Sequence, residues 1–178
     1  FDRVVNDLNV PITSFKATDI VVVCNPIKTP DGLHSWKRIV SISEVRKHWT
    51  KDPLQEKGFV DLMRYNVEKD ELVATDDLIN GDSEIIKDIA SNVKGWAGDW
   101  DAVWDNILLR AKIKKEIVDV AEKMKKPEIL EADFNVLSNN AFHEISDKIT
   151  SEVGLPVGEK VFGEWQKWLN EKIKEKRI

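Results

Sequence analysis

One cysteine, Cys24, stands in a chain of 178 residues. That excludes an internal disulfide and fits a reducing compartment. No apolar run approaches the ~20 residues that span a bilayer, and no secretory leader is visible. An excess of basic charge is missing as well. The net charge is −5 and the isoelectric point is near 5.3, so electrostatics give no reason to expect a nucleic-acid partner. Catalytic signatures are equally scarce: the chain has no GxxxxGK(S/T) phosphate loop, no GxGxxG, no CxxC and no HExxH. Its three histidines, His34, His48 and His143, lack ligand spacing. There is no internal repeat and no low-complexity linker.

What is present is enough to fold. The hydrophobic fraction of 42% argues against disorder, and the length allows a sizeable core, in one ordinary domain or two small ones. Charged residues reach 33%, rich in Lys and Glu, which leans towards a thermophile-like surface. The chain opens FDRVVNDL, without an initiator Met and already amphipathic, and reads as the middle of a larger protein.

The stretch from Thr13 to Trp49 organises the first part. Ile20-Val21-Val22-Val23-Cys24 is a β-branched run that suits a strand buried on both faces. Asn25-Pro26 should close it, because proline cannot donate to a sheet ladder. Pro30-Asp31-Gly32 predicts a turn, with Pro set for the first corner and Gly free for positive φ. A returning strand follows over Arg38–Val45, then a loop over Lys47–Pro53. A strand over Gly58–Tyr65 and a partner over Glu71–Thr75 form a hairpin. Residues 1–8 share a helical face, and Thr13 or Ser14 could cap a short turn.

The period changes near Gly81, and helical spacing dominates from there. Ile85, Ile86, Ile89, Ala90 and Val93 form one stripe, with Asp82 or Ser83 as cap. Gly95 and Gly98 interrupt it, and Asp99 can cap the next helix. That helix carries two apolar stripes, Trp100 to Ala111 and Ile113 to Met124, rotated so that it bends or is buried on two sides. Pro127 ends it or opens the next. A third helical region runs from Leu130 to Ile149, with Ser138-Asn139-Asn140 as a possible break, and Gly154 and Pro156 stop it. The last helix carries Val161, Phe162, Trp165, Trp168, Leu169 and Ile173 on one side.

Few residues point to chemistry. Cys24, inside a valine run, reads as a small buried hydrophobe. Asp99, Asp101 and Asp105 read as a solvated helix face rather than an acid–base pair. Tryptophans at 96, 100 and 104, and at 165 and 168, are core stripes or a partner groove. Lys28, Lys37 and Arg38 around the turn are either a solvated edge that protects the sheet or a basic finger for a phosphate.

The run Ser14-Phe15-Lys16-Ala17-Thr18-Asp19-Ile20 through Lys37-Arg38-Ile39-Val40-Ser41-Ile42-Ser43-Glu44-Val45 resembles the end of the motor domain in archaeal type II/IV secretion ATPases, which drive secretion, pilus and archaellum assembly. Phe1-Asp2-Arg3-Val4-Val5-Asn6 with Val10-Pro11 resembles the segment after that family's histidine box. Gly58–Tyr65 and Glu71-Leu72 also look like the archaeal branch, and the likeness covers residues 1 to about 110. It implies a C-terminal fragment of a hexameric motor with a RecA-like core that docks on an integral membrane platform protein. The phosphate loop, acidic metal-binding boxes and histidine box would lie upstream, so ATP and magnesium belong to the parent protein and this chain alone should be inactive. The resemblance carries over Arg38, with Lys37, as a nucleotide-facing or subunit-interface pair.

The expected fold is α+β. Residues 1–80 would form the β-rich end of a RecA-like core with an added hairpin, and residues 81–178 a helical C-terminal bundle. The expected role is to supply core strands, subunit interfaces and a partner-docking surface that includes Trp165 and Trp168. The expected location is cytoplasmic, at the membrane through partners. The rival reading is a stand-alone helical adaptor without catalysis.

Overall fold

A computed structural model describes residues 1–154 and 157–175. The chain divides into two compact units, Phe1–Trp100 and Asp101–Ile178. The broad α+β expectation holds: a four-stranded antiparallel sheet, its strands neighbouring in chain order, precedes a run of longer helices. Pro156 lies outside the described residues.

In the first unit a π-helical turn, Arg3–Asp7, and a short helix α1, Ile12–Phe15, lead into the sheet. The strands are β1 (Ile20–Lys28), β2 (Ser35–Val45), β3 (Phe59–Asn66) and β4 (Glu71–Ala74). The Pro30–Gly32 turn forms as its residues predict. Gly32 donates its N–H to Thr29 O at 2.9 Å and takes φ +68°, a conformation that costs a residue without Cβ little. The Asp31 carboxylate accepts from the Thr29 hydroxyl and from Leu33 N–H, which hold it below its ordinary range.

Two expectations about β1 are corrected. The strand does not stop at Asn25-Pro26 but runs on to Lys28, with Pro26 opposite Lys37. β1 is an edge strand, where a missing N–H costs no ladder bond if it faces outward. Nor is the run buried on two faces: no side chain from Ile20 to Ile42 is buried, and Cys24 is exposed.

The core of this unit lies at the other end of β2. Trp49 is fully buried, with Phe1 and Phe15 edge-on to it at centroid distances of 5.6 and 6.2 Å. Its indole N–H donates to Arg46 O at 2.6 Å, the kind of partner most buried Trp side chains find. Gly58 sits directly beneath, where a Cβ would stand 2.5 Å from Trp49 Cδ1. The loop from Thr50 to Asp52 wraps the Glu56 carboxylate with three N–H groups and the Thr50 hydroxyl, which pulls that carboxyl down to about 2. After β4 come the short helix α2 (Asp76–Ile79) and α3 (Glu84–Ser91). α3 is capped by Ser83, whose hydroxyl accepts from Ile86 N–H at 3.2 Å.

Helix α4 spans Trp100–Met124. Its second apolar stripe, Ile113, Ile117 and Ala121, is buried with residues of α5 (Ala132–Val153) and α6 (Gly158–Lys174). Pro127 opens a 3-10 turn, Pro127–Leu130, that plugs Ile129 into the same core. Ser138-Asn139-Asn140 does not break α5, which is continuous. Ser138 is buried within the helix, so tertiary packing overrides the weak local preference of that triplet for turns. Among the described residues no helix is long and apolar enough to cross a membrane.

Candidate functional site: an open sheet edge and a projecting hairpin

Both β1 and β2 outrun the rest of the sheet. The β2–β3 ladder ends at Ser41 opposite Arg64, while β1 and β2 continue to pair from Cys24–Ile39 to Lys28–Ser35. The result is a two-stranded arm. Register places Ile27, Trp36, Asn25 and Arg38 on one face, and Pro26, Lys28, Ser35 and Lys37 on the other. Leu33 at the tip is 82% exposed and Trp36 is 50% exposed. An isolated hairpin is marginal in water, so its base needs bracing.

Arg38 supplies that brace. Its Nε and Nη2 bond the two carboxylate oxygens of Asp70 at 2.7 and 2.8 Å. The Tyr65 hydroxyl donates to the same carboxylate at 2.6 Å. The Arg38 guanidinium and then the Tyr65 hydroxyl hold Asp70 far below the ordinary carboxylate range, and Arg38 lies 5.7 Å from the Trp36 ring centre. Arg38 thus ties the arm to the β3–β4 turn. The fork that a phosphate would use is already filled by Asp70. Lys37, on the opposite face, is exposed.

The second feature is the edge itself. Among the described residues β1 pairs with β2 alone, so its outer backbone groups have no strand beside them there. Ile20, Val22 and Val23 are 37, 51 and 37% exposed, an unusually apolar and long edge for a soluble sheet.

A third feature was not foreseen from the sequence. Glu44 is fully buried at the end of β2. It accepts from the Ser83 hydroxyl at 2.6 Å and from Glu84 N–H at 3.0 Å. Arg46, 6% exposed, lies 3.1 Å from Glu44 through Nε, an ion-pair distance without hydrogen-bond alignment. It also pairs with Asp82 at 3.1 Å and Glu84 at 2.8 Å. Burial opposes its charge, but the hydrogen bonds it donates to Glu84 and Asp82 and the charge of Glu44 win and raise its pKa. This cluster clamps β2 to the start of α3. Apart from Arg46 Nε, which is buried without a hydrogen-bond acceptor, its buried polar groups are engaged within the cluster.

The expected tryptophan surface divides. Trp165 is 0% exposed, stacked on Phe162 at 6.1 Å in the core of the helical unit, so its indole offers nothing to a partner. Trp168 is half-buried, stacked on Phe134 at 6.1 Å. Each histidine has its own local neighbours. His34 lies 3.5 Å from Asp31, His48 Nε2 lies 2.8 Å from Glu56 O, and His143 packs against Phe142. Among the described residues no three His, Cys, Asp or Glu side chains converge as metal ligands. Asp101 and Asp105 are exposed.

No family model, curated protein or solved structure matches this chain.

Proposed function

We propose that this chain is the C-terminal portion of a hexameric secretion or pilus-assembly ATPase. It supplies strands to a RecA-like core, subunit interfaces and a docking surface for an integral membrane platform protein. It works in the cytoplasm, held at the membrane through partners. The observation that carries the reading is β1. Nine residues long and apolar, it lies at the sheet edge with free outer backbone groups. Such an edge invites another strand, and the resemblance of residues 14–45 to a motor's end supports taking that strand from an upstream core. ATP and magnesium would be held by loops outside these residues. The Arg38 guanidinium, closed by Asp70, does not fit a free phosphate contact, so no step of hydrolysis is assigned to this chain, and the isolated chain should not turn over ATP.

Amide hydrogen exchange tests this. The whole gene product should protect the outward-facing β1 amides that exchange rapidly in the isolated 178-residue chain. Equal exchange in both, or magnesium-dependent ATP hydrolysis by the isolated chain, would refute the reading. The rival reading, an adaptor built on the helical unit, draws on one observation: Asp101–Ile178 has a hydrophobic core of its own.

A further inference from the structure

A groove of about 810 Å³ opens on the first unit between the loop before β3 and the start of α2. Its lining is mixed: Leu54, at 74% exposure, Phe59 and Val60 are apolar, Asp76 and Asp77 are acidic, and Lys57 and Arg64 are basic. Neighbouring carboxylates are already engaged: Asp61 by Ser43 and Arg64, and Asp82 by Arg46. Asp76 and Asp77 are exposed, and among the described residues neither has a basic partner in an ion pair.

Asp61, Asp76, Asp77 and Asp82 outnumber Lys57 and Arg64 in the lining, so the groove is acidic on balance and keeps a smaller apolar share, and the β1–β2 arm is basic with an apolar tip. Leu33 is a projecting apolar tip, and Lys28 and Lys37 share one face just behind it. Arm and groove cannot meet within one chain. The tip immediately precedes Ser35 at one end of β2, whereas Phe59 and Val60 of the groove pair with Val45 and Glu44 at the other end. Ten residues of strand separate them, roughly 30 Å at about 3.3 Å per residue, and Arg38–Asp70 holds the arm out.

We infer that the arm of one copy docks in the groove of a second copy, with Leu33 over Phe59 and Val60 and with Lys28 and Lys37 against Asp76 and Asp77. The two surfaces differ, so the contact is head-to-tail, the kind that closes into a ring when the rotation permits. It deepens the hexamer reading above by naming the subunit contact, and it stands or falls on a separate measurement.

That measurement is the mass of the folded chain in solution, by light scattering or sedimentation across concentration up to the solubility limit. The chain should self-associate. An arm variant, Leu33→Asp with Trp36→Ala, and a groove variant, Asp76→Lys with Asp77→Lys, should each weaken association at least about tenfold. Mixed in equal amounts, they should form a dimer and nothing larger, because only one intact arm and one intact groove remain per pair. Circular dichroism confirms that each variant is folded. If the groove variant is not folded, Lys28→Glu with Lys37→Glu takes its place against wild type: it should be monomeric, and adding salt should weaken wild-type assembly.

A chain monomeric at every concentration overturns the inference. So does assembly that survives either variant, or a mixture that stays monomeric. A monomeric chain whose β1 edge is still protected in the whole gene product would sink this contact and leave the motor reading intact. A mixing dimer from a gene product no larger than this chain would do the reverse.

Discussion

Replacing Trp165 separates a core tryptophan from a docking tryptophan. Its side chain is fully enclosed by the helical unit, against Phe162 and Trp168. Removing so large a buried ring to Ala should cost about 3–5 kcal/mol, as transfer and cavity terms add. The indole carries a second quantity. Its N–H is buried and has no acceptor among the described residues, and such a donor costs about 1–3 kcal/mol. Trp165→Phe removes that donor along with about 40 Å³ of side chain, worth roughly 1 kcal/mol of cavity plus a similar transfer loss. The two effects nearly cancel, so Trp165→Phe should lie within about 1 kcal/mol of wild type. Guanidinium unfolding followed by the far-ultraviolet helix signal reads both variants. Trp168→Ala, which truncates a half-buried ring, should fall between them. A Trp165→Ala loss under about 1 kcal/mol would refute the core assignment. A Trp165→Phe loss as large as that of Trp165→Ala would refute the cost assigned to the indole N–H.

Three further outcomes follow from the first unit. Glu44→Ala leaves the Ser83 hydroxyl and Glu84 N–H without their acceptor and removes one of three carboxylates paired with Arg46, and should destabilise the unit by about 2–4 kcal/mol in a denaturant titration; a change below about 1 kcal/mol would show that water replaces Glu44. Gly58→Ala places a methyl 2.5 Å from Trp49 and 2.6 Å from Pro53 Cβ; it should cost about 1–3 kcal/mol or more and shift Trp49 fluorescence, because neither ring nor loop can yield freely. The Glu56 carboxyl is held at about 2, against 4.5 in its ordinary state. Its contribution is therefore complete above pH ~4.5 and is lost as pH falls from there towards 2. Glu56→Gln should flatten that part of the acid-stability curve, and an unchanged curve would show that the loop does not depend on the charge.

Local chemistry was legible where it decides itself. Thr29–Gly32 turns, Ser83 caps and Pro127 opens a helical turn because each residue's own geometry suffices. The sheet strands and the helical half also follow from period alone. β1 was misread because a continuous β-branched run looks the same whether it is buried on two faces or lies at an open edge. Cys24 went with it. Pro26 marked the edge more than the end, since proline is tolerated in a strand there. The Glu44–Arg46 clamp was hidden because Ser83 lies 39 residues from Glu44, a separation that spacing rules do not reach. Arg38 read as one of a basic group with Lys28 and Lys37, and only the fold brings Asp70 and Tyr65 to it.

The central claim concerns what β1 joins, and the mass of the native gene product tests it most directly. An antibody raised against this chain should detect, in extract of the source cells, a band several times heavier than 20.4 kDa, as a motor with an upstream ATPase core requires. A single band at the chain's own mass would contradict the account and leave the open edge to another partner.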